Sequence, residues 1–146
     1  MKKFFFIFVI LFSLFIIYSF YPQKNQLNLK DGVFIHITHG GNHPHSVLMA
    51  LNLAEKMAQD KNVILYFDID GIEVLLKDAP DLTFSHFQSS HAQIKKLLDM
   101  GIEIMACPGC LKSINKTPGD LKEGIILADK EKFFNFTSGR ILTMNY

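Results

Sequence analysis

Tryptophan is absent from this chain of 146 residues, and cysteine occurs only twice. Two cysteines cannot build the several crossed bridges of a small secreted disulfide scaffold. Charge of one sign is scarce as well: 15 Lys and Arg stand against 14 Asp and Glu, a net of +1, with no basic block beyond the start. That balance leaves no electrostatic footprint for nucleic acid, so nucleic acid is set aside as a partner. No internal repeat is visible, and the length suits one domain with a real core. What the chain does have is a single C-x-x-C, Cys107-Pro108-Gly109-Cys110, delivered by the strand-like run Gly101-Ile102-Glu103-Ile104-Met105-Ala106 into the start of an expected helix. A thiol there meets unpaired backbone N–H groups and partial positive charge, which favour the thiolate and make it a nucleophile or a metal ligand. The plainer alternative is that Cys107 is a small core hydrophobe and Cys110 an incidental neighbour.

Lys2 and Lys3 precede residues 4–21, an uncharged run rich in phenylalanine. It matches the ~18 to 20 residues that span a bilayer and exceeds the ~7 to 15 of a cleavable signal core. Residues 1–22 are therefore expected to be a signal anchor with its lysines in the cytoplasm, or, second, a cleaved signal peptide. Either address, membrane-anchored or secreted, puts the domain outside the cytoplasm, which is the periplasm if the cell is Gram-negative. Residues 23–30 read as a polar tether and residues 31–146 as the folded domain. Outside the cytoplasm a C-x-x-C is open to oxidation, so it needs a reductant, a metal or a persulfide to remain functional.

Within the domain, β-rich runs at 33–38, 63–67, 102–106, 125–127 and 140–144 alternate with helical patterns. The helices are expected from Ser46 as N-cap, or His45 or Asn42 in a shifted frame, to Asp60, from Asp70 through Leu76, from Ala92 to Met100, from the C-x-x-C through Ile114, and from Asp129 as cap through about Phe136. This alternation predicts an α/β three-layer sandwich around a mainly parallel sheet of about five strands. In such sheets ligands bind beyond the C-terminal strand ends. The loop after strand one, His39-Gly40-Gly41-Asn42-His43-Pro44-His45, and the C-x-x-C after strand three both leave by that edge.

Three runs carry a resemblance to a known family. They are Asn62-Val63-Ile64-Leu65-Tyr66-Phe67-Asp68-Ile69-Asp70-Gly71-Ile72-Glu73-Val74-Leu75-Leu76, the stretch from Leu97 through Gly101 to Cys107, and Leu121-Lys122-Glu123-Gly124-Ile125-Ile126-Leu127-Ala128. In this order and spacing they resemble the DsrE/DsrF-like (YchN-like) family of small sulfur-relay proteins, over about 115 residues. The resemblance implies a DsrE/flavodoxin-like fold, homo-oligomers or hetero-oligomers with other DsrE-like chains, and a cysteine at the position of Cys107 that accepts and passes sulfur as a persulfide. The donor and acceptor would be a protein or a small thiol. Two departures stand out: the family is mostly cytoplasmic, and the histidine loop replaces the acidic and small residues usual there.

For that chemistry Cys107 attacks a sulfur donor, Cys110 assists by resolving the persulfide, and His39 or His43 is an expected neighbouring cation. A rival reading joins Cys107 and Cys110 to His39, His43 and His45 as a zinc or copper site, since two thiolates and imidazoles suit soft metals. A third makes the chain a non-catalytic oligomerising subunit. Thioredoxin-like exchange is disfavoured, because the motif comes late and no Trp accompanies it. His86 and His91 flank a polar connection, read as surface or as a lid. His36 reads as a core or face residue of strand one, Asp68-x-Asp70-Gly71 as turn and helix cap, and Phe133, Phe134 and Phe136 as core or interface aromatics.

Overall fold

Runs rich in apolar and β-branched residues build the sheet: β1 (Gly32–Ile37), β2 (Asn62–Phe67), β3 (Glu103–Ala106), β4 (Ile126–Leu127) and β5 (Ile141–Asn145). Their spatial order is β4-β3-β2-β1-β5, and every neighbouring pair is parallel. The computed structural model describes residues 29–146. The expected anchor at residues 4–21 and most of the tether lie outside the described residues. No helix among the described residues is long and apolar enough to cross a membrane.

The strand order dictates where the helices go. From β1 to β4 each connection steps one way along the sheet, and the last returns past all of them to the far side of β1. Right-handed crossovers then place the first connections on one face and the return on the other. α1 (Pro44–Met57) and α2 (Ser90–Asp99) pack together on the first face, over β1, β2 and β3. There Ile35, Ile37, Leu65, Phe67 and Ile104 join Leu48, Leu51 and Leu97 in one fully buried core. α3 (Pro108–Ser113) adds Leu111 to that same core. The return connection carries only α4 (Lys132–Asn135), whose Phe133 ring meets Phe34 at 5.6 Å and Tyr66 at 5.1 Å on the second face. So short a helix covers little, and Phe34, His36 and Tyr66 stay half-buried.

Several element boundaries differ from the sequence expectation for local reasons. α1 starts earlier than Ser46: His43 is its N-cap, and Pro44, which has no N–H to satisfy and a fixed φ, takes the first turn. α2 begins at Ser90, capped by the Ser89 hydroxyl, which accepts from the Ala92 N–H. Asp129 does not cap α4; its carboxylate accepts from the Glu131 N–H, and the helix opens later and is shorter. Phe134 is 71% exposed, Phe133 packs on the second face, and Phe136 lies over Gly32.

After β2 the chain forms a 3-10 helix, Ile69–Leu75, instead of an α-helix from Asp70. Its backbone lies directly on the loop after β1. The Gly71 N–H donates to the carbonyls of Thr38 (3.0 Å) and Asp68 (2.8 Å). A Cβ on Gly71 would overlap the Ile37 carbonyl oxygen, and one on Gly40 would come within 2.5 Å of the Asp70 carbonyl oxygen. At the other end, Leu121 bridges Leu76, and the Lys122 ammonium donates to the Val74 carbonyl (2.9 Å) and to that of Leu76. The 3-10 segment is thus clamped on both sides, which fixes the residues that border the cysteines. Gly71→Ala is expected to destabilise the domain by roughly 2 kcal/mol or more, because backbone cannot yield to the new methyl as a flexible side chain would. Urea unfolding checks it, and an unchanged midpoint would contradict the close approach.

Candidate functional site

The cysteines stand where the connections diverge to opposite faces of the sheet. β3 exits toward the first face and β4 toward the second, which makes the crevice at their C-terminal ends the topological switch point of the fold. The Cys107 N–H donates to the Phe67 carbonyl (2.9 Å), extending the ladder one residue beyond β3. Cys107 then leaves the strand as the N-cap of α3, with Pro108 in the first turn. Its sulfur accepts from the Cys110 N–H at 3.2 Å. Leu111, buried on the first face, holds the short helix in place. Both cysteines are free thiols and partly exposed.

Register brings a further partner. Tyr66 pairs with Met105 across β2 and β3, so Cys107, two residues on, emerges on the same side as the Tyr66 ring. Burial pushes the Cys107 thiol up, yet hydrogen bonds from the Cys110 thiol, the Tyr66 hydroxyl and the N–H groups of Cys110 and Gly109 together hold it below its ordinary value. Burial, reinforced by the bond to Cys107 and the charge of Asp68, pushes Tyr66 far above the usual phenol range. Tyr66 therefore keeps its proton at neutral pH on the side of the sheet where Cys107 emerges. Its ring is held between His36 (5.3 Å, 26°) and Phe133 (5.1 Å, 84°).

Cys110 is tuned the other way. Burial and the bond to Cys107 push its thiol up, and the Ile69 N–H pulls against them. That N–H donates to the Cys110 sulfur at 3.3 Å. Ile69 adopts φ 47°, a left-handed conformation that a β-branched residue takes at a cost of about 1–3 kcal/mol. Its side chain is 61% exposed, so no packing of the isoleucine explains the strain. The clamp on the 3-10 segment does, and the result is a backbone donor aimed at sulfur.

Behind Tyr66, His36 Nε2 lies 2.9 Å from Asp68 Oδ2. The two are close but not aligned for a hydrogen bond, and His36 Nε2 and Asp68 Oδ1 are buried with no hydrogen-bond partner among the described residues. Asp68 sits at the N-cap position of the 3-10 helix, yet its side chain does not cap it. The turn is as expected from sequence, but the carboxylate does not cap it: it faces the histidine of β1, and its charge acts on Tyr66 and Cys110.

The expected histidines are placed differently. His39 and His43 come together, ring centroids 4.6 Å apart and edge to face, while His45 stacks on Phe84 at 4.6 Å and 16°. Among the described residues no three His, Cys, Asp or Glu side chains are grouped to hold one metal ion. His91 anchors the 77–89 connection: its N–H donates to Asp81, and its ring bonds the Ala79 carbonyl. The residues sequence reasoning missed are Tyr66, His36 and the Ile69 amide. Strand parity held the signal for Tyr66, once β2 is paired with β3; no residue pattern marks a backbone N–H.

No protein-family model matches this sequence, and no curated protein matches it significantly. Among solved structures the chain is similar to MTH1491 of Methanobacterium thermoautotrophicum, a protein of unknown function, with TM-score 0.56 and 15% identity over 79% of this chain and 99% of that one. It is likewise similar to the YchN protein of E. coli, with TM-score 0.54 and 14% identity over 79% of this chain and 99% of that one. At these identities the likeness is one of fold. This is the DsrE/YchN-like α/β architecture, with all five strands parallel where a mainly parallel sheet is expected from sequence.

Proposed function

We propose that the protein carries sulfane sulfur on Cys107, with Cys110 as the thiol that discharges it. The observation that carries this reading is the Cys107 sulfur at the N-cap of α3, accepting from the Cys110 N–H at 3.2 Å, with the second thiol in the same short helix and the Ile69 N–H donating to it at 3.3 Å. A thiolate so placed attacks the outer sulfur of a persulfide donor R–S–SH, from a protein or a small thiol. The donor S–S bond breaks, R–S⁻ leaves, and the sulfur with its proton remains on Cys107 as the persulfide. An acceptor thiolate can then take the outer sulfur and return Cys107 to thiolate. Alternatively Cys110 loses its proton to solvent and attacks the inner sulfur, forming the Cys107–Cys110 disulfide. The outer sulfur then leaves as HS⁻, reduced by two electrons while the cysteines are oxidised. A thiol reductant would regenerate the pair.

The unlike environments of the two cysteines suit these unlike roles: the first is poised as thiolate, the second stays protonated until needed. Assembly with further copies or related chains is in keeping with the thin cover of the second face, where Phe134 is 71% exposed. At pH 7 iodoacetamide is expected to alkylate Cys107 at least about tenfold faster than Cys110, since thiolate fraction falls tenfold per unit of pKa. Peptide mapping of partially labelled protein reads the ratio. Equal rates, or Cys110 first, would overturn the assignment.

A further inference from the structure

The outer side of α1 and residues 84–87 enclose a groove of about 450 Å³ that the sulfur chemistry does not use. Its walls are two imidazole-on-phenyl stacks: His45 on Phe84 at 4.6 Å and 16°, and His86 on Phe87 at 4.5 Å and 26°. Ser85 between them turns the chain with φ 49°. Met49 and Phe84 are 46% and 43% exposed, an apolar surface of the kind that small-molecule sites present with a few convergent polar groups.

Lys56 is the one full charge among the side chains that line the groove, beside the uncharged Asn52, Ser85 and Tyr146. Lys56, His45 and His86 line the groove, and no carboxylate side chain does. Lys56 has no ion-pair partner among the described residues, since the adjacent Glu55 is taken by Lys96 at 2.7 Å. Ser85 Oγ lies 3.2 Å from His86 Nδ1. When that hydroxyl donates to Nδ1, Nε2 carries the ring proton and is a donor for an oxyanion.

We propose that this groove binds a flat aromatic or conjugated small molecule bearing a carboxylate or similar anion. The ring lies against the imidazole and phenyl faces and Met49, and the anion meets Lys56 with help from His86. Charge selects the anion, and the stacked walls select flatness. The site is distinct in its residues from Cys107 and Cys110.

The test titrates the full chain with 2-naphthoate and, in parallel, with the neutral isostere 2-naphthylmethanol, followed by ligand-observed NMR. Naphthoate is expected to bind saturably, one per chain, at least about fivefold tighter than the alcohol. Exposed Lys56→Gln should abolish that preference and leave the alcohol unaffected, whereas Phe84→Ala should weaken both about tenfold. Cys107→Ser should change neither, which separates this result from any failure of the sulfur proposal. Equal affinities for the two probes, no binding, or groove variants that behave as wild type would overturn it. So would a dimer that binds no naphthoate and dissociates on Phe84→Ala, a result that assigns the groove to a second copy.

Discussion

In the Cys110→Ser protein, sulfur loaded onto Cys107 is expected to stay there, whereas the wild-type chain is expected to discharge it as sulfide within the same incubation. The reason is geometric. The Cys107 sulfur accepts from the Cys110 N–H at 3.2 Å, and both cysteines belong to the same short helix start, so internal attack on a Cys107 persulfide needs no diffusion. Holding reactants together in this way is worth orders of magnitude in rate, as effective molarities of roughly 10⁵ M and above show for well-oriented pairs. A serine hydroxyl at position 110 keeps the helix but cannot attack sulfur at neutral pH. Sulfide release from Cys110→Ser should therefore fall at least about a hundredfold. Cys107→Ser should accept far less sulfur than wild type, because burial pushes the remaining Cys110 thiol toward the protonated form. Sulfide release at the wild-type rate from Cys110→Ser would contradict the resolving role, and loading of Cys107→Ser to the wild-type extent would contradict the assignment of the carrier.

The second large effect concerns Tyr66. A hydrogen bond from its hydroxyl lowers the Cys107 pKa, and partial burial raises its own pKa far enough that it does not ionise in competition. Tyr66→Phe removes one donor to the anion and nothing from the thiol form, so the Cys107 pKa rises. The alkylation rate of Cys107 against pH should shift to higher pH, with a loss of about tenfold below the wild-type midpoint and convergence of the two curves in strong alkali. A superimposable pH profile would show that the hydroxyl does not act on the sulfur. The aromatic packing against His36 and Phe133 survives in the phenylalanine, so a change confined to the low-pH limb isolates the hydrogen bond from a general loosening of the second face.

The parallel sheet and the position of the C-x-x-C at its ligand-binding edge were legible in the sequence, because β2 reads as a continuously apolar strand covered on both faces. Cys107 at the start of a helix was legible for the same reason that Pro108 follows it. Ser46 misled as a cap because Pro44 outweighs it two residues earlier. The His39, His43 and His45 loop divides for a different reason. Closeness in sequence suggested one cluster, but α1 begins inside it, and the helix sends His45 to Phe84 while His39 and His43 remain together. The role of Asp68 and His36 depends on β1 and β2 lying side by side, a long-range fact that no local pattern contains. The strain at Ile69 is set by the clamp of Gly71 on Ile37 and of Lys122 on Val74, and a sequence offers no residue type by which to read it.

The most direct test of sulfur carriage by Cys107 is the intact mass and peptide map of the full chain after incubation with inorganic polysulfide, with metal content measured on the same sample. The account predicts one added sulfur, located on the peptide that holds Cys107 and retained longest in Cys110→Ser. An unmodified Cys107 in both proteins, with stoichiometric zinc or copper bound instead, would contradict it.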